Sequence, residues 1–183
     1  CPKGKYLPTP GGNSILMCLS CTAGTYSDQE AAYEFSTCQH CPAGYYSESI
    51  GAISFATCLA CPMGTYSGTE GAANVTWCRW CAPGKYSAAT NAVDESTCSA
   101  CLPGKYSNTS AAISDATCLS CPIGTYSTTS GAWLITFCQG CPAGKYSTES
   151  AADSLSFCFN CPAGKYSGDS GNDDEEDDDV SCA

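Results

Sequence analysis

The sequence predicts a small disulfide-rich repeat array: an elongated, solenoid-like rod of nine modules of about 20 residues, with short β pieces and mostly loops. Three observations predict it. Opening cysteines stand at Cys1, Cys21, Cys41, Cys61, Cys81, Cys101, Cys121, Cys141 and Cys161, every 20 residues without slippage. A closing series runs Cys18, Cys38, Cys58, Cys78, Cys98, Cys118, Cys138 and Cys158, and only its last member, Cys182, is displaced, by four residues. Between them one phrase returns, and "CPAGKYS" opens both the repeat at residue 141 and the repeat at residue 161. The modules are therefore 1–20, 21–40, 41–60, 61–80, 81–100, 101–120, 121–140, 141–160 and 161–183, the last with an acidic insertion.

Each element of the phrase has a physical reading. We number positions within a repeat from its opening cysteine. Glycine stands at position 4 in all nine repeats, and proline at position 2 or 3 in all but the "CTAG" repeat at Cys21. Proline presets one turn residue near φ of about −65° and glycine admits a positive φ, so the repeat opens with a tight turn. Tyrosine follows at position 6 in all nine, from Tyr6 to Tyr166, then serine in eight. A wide amphipathic ring at this place packs against a neighbour or covers a disulfide while its hydroxyl reaches water. Position 12 is alanine in repeats two to eight, whereas positions 13 and 15 vary, as in Tyr33 with Phe35, Ile53 with Phe55 and Trp133 with Ile135. Short β pieces are expected around the tyrosine and before the closing cysteine, with a turn or one helical turn between them. "SDQE" and "SGTE" resemble capping boxes, but the runs are too short for a helix.

Eighteen cysteines in 183 residues place the chain among disulfide scaffolds. With few large apolar residues per repeat, no module builds a core alone, so covalent links and neighbouring repeats must supply it. Three pairing schemes fit the spacing. Opening-to-closing pairs within a repeat use every cysteine and leave the four-residue insertion inside the last loop. Pairs across the two-residue gap, such as Cys18 with Cys21, strand Cys1 and Cys182. Zinc is the third: Cys18, Cys21, Cys38 and Cys41 read as C-x2-C-x16-C-x2-C. Metal also strands the terminal cysteines, and the serine- and threonine-rich composition points to an oxidising, extracellular setting.

Charge excludes further classes. The formal net charge is −11 from 7 basic and 18 acidic residues, and "DDEEDDD" at 173–179 holds seven of the acidic ones. The remainder, 7 basic against 11 acidic, carries −4, with no basic stripe for nucleic acid. The acidic run reads first as a solvated loop; a loose calcium site through Asp173, Asp174, Glu175, Glu176 and Asp177 is the alternative, although no EF-hand glycine loop accompanies them. No other metal and no cofactor is expected, and no apolar stretch is long enough to span a membrane. Enzyme chemistry finds no recurring nucleophile, base and orienting group, and the single histidine, His40, sits between Cys38 and Cys41. Covalent glycans are expected instead. Sequons stand at Asn74-Val75-Thr76 and Asn108-Thr109-Ser110, and Ser27, Ser47, Thr128 and Thr129 are plausible O-linked acceptors. One cluster departs from the period: "TWCRWC" sets Trp77, Arg79 and Trp80 around Cys78, where the guanidinium has an indole to lie over. Phe137, Phe157 and Phe159 likewise adjoin closing cysteines. These aromatics are expected to cover disulfides, with contacts to a second chain or to sugar rings as the other reading.

At "CPAGKYS" and "TCLSCPIGTYS" the chain resembles the ephrin-receptor-like cysteine-rich repeat, similar to the first disulfide module of tumour-necrosis-factor-receptor domains, over essentially its whole length. The resemblance implies opening-to-closing bonds: Cys1–Cys18, Cys21–Cys38, Cys41–Cys58, Cys61–Cys78, Cys81–Cys98, Cys101–Cys118, Cys121–Cys138, Cys141–Cys158 and Cys161–Cys182. It implies a secreted, loop-rich rod and no particular ligand, since such arrays occur in receptor ectodomains and in algal and protist surface proteins, including those of flagellar hairs. Receptors mix this module with others and vary its length, whereas eight repeats here are identical in length. That uniformity favours a structural fibre or surface appendage over a receptor stalk or ligand-binding ectodomain. The chain starts on an opening cysteine and stops just past a closing one, so we expect a longer parent, or copies meeting head to tail in a filament. Small-angle scattering is expected to return a radius of gyration well above the roughly 16 Å of a compact domain of this length; a value near that figure overturns the rod.

Overall fold

In the computed structural model, which describes residues 1–167 and Cys182, every repeat begins with the turn that its glycine permits. The position-5 amide donates to the position-2 carbonyl in all nine, as Lys5 N–H to Pro2 at 3.2 Å and Lys165 N–H to Pro162 at 3.0 Å. The position-4 glycine takes φ between +76° in Gly4 and +89° in Gly164. A positive φ at the third of four turn residues is the type II geometry.

The turn aims positions 5 and 6 back along the repeat. In the first repeat β1 (Lys5–Tyr6) pairs antiparallel with β2 (Leu19–Ser20), Lys5 opposite Ser20 and Tyr6 opposite Leu19. The same two-stranded hairpin recurs in the first eight repeats. The expectation for the second piece is corrected here: it lies after the closing cysteine, in the two-residue gap, and not before it. Position 18 is tied to position 1, so the chain leaving it runs alongside the strand that leaves the turn. The three residues before the closing cysteine form a single 3-10 turn instead, as Ile15–Met17 and Phe35–Thr37. "SDQE" and "SGTE" start no helix. The hydroxyls of Ser27 and Ser67 each accept the amide two residues on, from Gln29 and Thr69 at 3.4 Å, which closes a side-chain turn.

All eighteen cysteines are bonded, opening to closing within each repeat. Eight bridges span 17 residues and Cys161–Cys182 spans 21, with Cα separations of 5.5 to 5.7 Å throughout. No thiolate is left for zinc. Each loop contributes about 3 kcal/mol by restricting the unfolded chain. The acidic candidates Asp173, Asp174, Glu175, Glu176 and Asp177 lie outside the described residues.

The chain divides into two compact units, Cys1–Trp80 with Ala88–Thr97, and Cys81–Ser87 with Cys98–Ala183. In the first, Tyr6, Tyr26, Tyr46 and Tyr66 each form a parallel bridge to position 12 of the following repeat, at Ala32, Ala52, Ala72 and Ala92. In the second, Tyr86, Tyr106 and Tyr126 do the same with Ala112, Ala132 and Ala152. The interior holds only small side chains. Among the described residues the fully buried ones are cysteines and serines, Cys21 and Ser47 for example at 0 % exposure, accompanied by the alanines at position 12. Buried hydroxyls are partnered: Thr25, Thr65 and Thr125 donate to the position-2 carbonyl at 2.7 to 2.8 Å. Among the described residues no buried side-chain polar atom lacks a partner.

Digestion without reduction is expected to yield a peptide pair joining Cys61 to Cys78; recovery of Cys58 joined to Cys61 overturns this architecture.

Candidate functional site: the junction between repeats

The feature repeated most faithfully is the contact of one repeat with the next. In the second unit Gly104 N–H donates to Ser127 at 2.8 Å and the Gly104 carbonyl accepts from Cys121 at 2.8 Å. Ser107 N–H donates to Ala132 at 3.0 Å, and Gly131 N–H to Cys101 at 2.8 Å. The first unit builds the same four bonds, as in Gly24 N–H to Ser47, Cys41 to Gly24, Ser27 to Ala52 and Gly51 to Cys21, all between 2.7 and 2.9 Å. At about 1 kcal/mol each, four backbone bonds contribute about 4 kcal/mol per junction.

The junction also reaches one repeat further. A Cβ built on Gly104 falls 2.1 Å from the carbonyl oxygen of Ala151, two repeats on. On Gly4 and Gly24 it falls 2.2 and 2.1 Å from Gly51 and Gly71, and on Gly44 it falls 2.3 Å from Asn91. Three successive backbones therefore converge at each of these glycines, and a side chain there has no space. Position 11, the far side of that contact from the third repeat onward, there takes φ from +51° in Asn91 to +72° in Gly131. The Asn91 amide also donates to the Tyr45 hydroxyl at 3.1 Å, across the same two-repeat step. His40, exposed, lies against Gly71 across the same two-repeat step.

Tyrosine rings close the junction on its outer side. Tyr6 meets Phe35 edge-on at 5.7 Å and Tyr26 meets Phe55 at 6.1 Å, each on the following repeat, and Tyr45 joins Phe55 at 5.3 Å. Such pairs contribute about 1 kcal/mol beyond burial. Other aromatics point away. Trp80 is 70 % exposed. Arg79 sits opposite Tyr66 and Trp80 opposite Thr65 in the hairpin, so the arginine and the Trp80 indole leave the strand on opposite faces instead of stacking. Phe137 packs on Trp133 of its own repeat at 4.5 Å, and Phe159 on Tyr146 at 6.3 Å.

The glycan candidates separate by burial. Ser27 and Ser47 are 1 % and 0 % exposed, with hydroxyls turned to the amides of Gln29 and Ser49, so neither accepts a sugar in the fold. The expectation for these two is corrected: serine at position 7 belongs to the junction, not to the surface. Thr128, Thr129 and Asn108 are exposed and Asn74 is half-buried. Asp94 is exposed, and the backbone amide and then the hydroxyl of Ser96 hold its carboxyl below the usual carboxylate range. Sequence reading missed the two-repeat contact, whose signal was the residue type at position 11: glycine, asparagine or alanine in every repeat.

Gly104→Ala is expected to accelerate amide exchange at Ser107 and Gly131 roughly a hundred-fold, a local loss of about 3 kcal/mol from backbone strain and overlap. Gly144→Ala, whose Cβ meets nothing within 4 Å, costs only the positive-φ strain, about 1 kcal/mol. Equal effects of the two substitutions sink the convergence argument.

The family model described as tyrosine-protein kinase ephrin type A/B receptor-like matches the chain in four overlapping stretches, 12–58, 31–78, 84–138 and 109–158. No curated protein matches it. Those stretches cover most of the sequence and each spans more than one junction of the kind described above. The chain belongs to the ephrin-receptor-like cysteine-rich repeat family.

Proposed function

We propose that the chain is a structural segment of an extracellular, glycosylated fibre or cell-surface appendage, a filament of the flagellar-hair kind, in which its neighbours are further repeats or copies of itself. The family is a receptor-like repeat of extracellular type and not a catalytic domain. Nine disulfides agree with an oxidising environment, and among the described residues no helix is long and apolar enough to cross a membrane.

The observation that carries the reading is the uniformity of the junction. Within each unit the same four backbone bonds recur at near-constant length, and the position-4 contact adds a second-neighbour constraint. Second-neighbour contacts resist bending, because tilting one repeat compresses the carbonyl against the glycine two steps away. A receptor stalk or ligand-binding ectodomain is the second reading, favoured by the receptor-like description of the family.

Immunogold imaging of native material is expected to place the label along filaments. Label spread over the plasma membrane, with a transcript that joins these repeats to a membrane span and a separate binding module, overturns the fibre in favour of the receptor.

A further inference from the structure

We propose that Asn74 carries an N-linked glycan and that the reducing-end sugar of that glycan packs on the indole of Trp77. The sequon Asn74-Val75-Thr76 runs into the 3-10 turn Val75–Trp77. The side-chain oxygen of Asn74 accepts from the Thr76 amide at 3.0 Å and from the Thr76 hydroxyl. Both bonds engage Oδ1. Nδ2, the atom to which a glycan is joined, has no protein partner among the described residues and is the free end of the amide.

Trp77 closes that turn. A 3-10 turn repeats every three residues, so the side chain at position 17 comes back to the backbone of position 14. Other repeats report this directly: at position 17 Thr37, Thr57, Thr97 and Thr117 donate their hydroxyls to the position-14 carbonyl at 2.7 to 3.0 Å. In the fourth repeat the residue over position 14 is an indole, 48 % exposed. The seventh repeat shows what an aromatic at this place otherwise has: Phe137 lies under Trp133, rings 4.5 Å apart. The residue corresponding to Trp133 is Ala73, and among the described residues no ring packs on Trp77. An indole that no described ring covers therefore lies one turn of chain from an amide nitrogen held ready for a sugar. A pyranose presents one face of C–H groups, and these complement the negative face of an indole.

The covalent step takes an oligosaccharide carried on a lipid diphosphate. Nδ2 attacks the anomeric carbon, the N–C bond forms, and the C–O bond to the diphosphate breaks. The lipid diphosphate leaves with the electron pair, and the transferase's base removes one Nδ2 proton. The inference rests on the extracellular placement proposed above and is independent of the fibre.

The test uses the full chain secreted from a eukaryotic host, with Trp80→Phe and Trp133→Phe so that Trp77 is the only indole. Peptide mapping is expected to find Asn74 occupied. Acrylamide quenching of Trp77 is expected to at least double when the glycan is removed entirely, and to stay low when an endoglycosidase trims it to the first sugar. Thr76→Ala is expected to quench like the deglycosylated protein. Asn74 found bare, whether or not Asn108 is occupied, overturns the site; quenching unchanged by complete removal overturns the packing. Secretion is imposed by the host, so neither result bears on whether native material forms filaments.

Discussion

At Gly4, Gly24, Gly44, Gly84 and Gly104, position 4 of the repeat has no space for a side chain, and the rest of the structure follows from that. Its positive φ turns the chain so that its amide and carbonyl both face the next repeat, where they bond to positions 7 and 1. Because no Cβ intervenes, the position-11 carbonyl of the second repeat onward settles against it, 2.1 to 2.3 Å from where the Cβ would stand. Glycine here does two jobs, conformational and steric, and the steric one sets how closely repeats stack. Substituting even alanine forces a choice between the turn and the junction.

This closeness explains why the interior is polar and small. A hydrophobic core needs side-chain volume between backbones, and here the backbones meet. What is buried is sulfur, the methyl of alanine, and hydroxyls that find backbone partners, as Ser27 and Thr65 do. The large apolar side chains are displaced outward: Tyr33, Ile53, Leu59 and Trp80 are all more than half exposed. Stability comes from the disulfide in each repeat and the backbone bonds at each junction, both indifferent to what stands at the outer positions.

Much of this was written in the chain as period. The 20-residue period of the disulfides, the turn at Pro and Gly, and the need for neighbours could be read from Cys1 to Cys161 and from the glycines alone. Three features could not. The second strand occupies "LS" at Leu19–Ser20, two residues with no pattern of their own, and pairs only because the Cys1–Cys18 bond delivers them beside Lys5 and Tyr6. Serine at position 7 reads as surface polarity, since a hydroxyl gives no sign of whether it meets water or an amide; Ser47 meets the amide of Ser49. The two-repeat contact was hidden because its partner at position 11 is not one residue type. Gly51, Asn91 and Ala151 all serve, the last two at φ of +51° and +58°, a conformation that side chains rarely adopt.

The division between fixed and free positions bears on what such a chain can become. At positions 1, 4, 6, 7, 12 and 18 the repeats barely differ, and each of these faces a disulfide or a neighbouring backbone. At positions 13, 15 and 19 they vary freely, with Tyr, Ile, Trp, Arg, Phe and Gln among the residues found, largely exposed, and a change there leaves the four junction bonds untouched. The ladder and its decoration are therefore uncoupled. The one length change, four residues within the Cys161–Cys182 loop, obeys the same rule, since it falls between the bonded cysteines and spares the turn at Gly164. Surface chemistry can diverge repeat by repeat, an indole and a sequon in the fourth, a Trp–Phe pair in the seventh, while within each unit the stacking geometry is copied from one junction to the next.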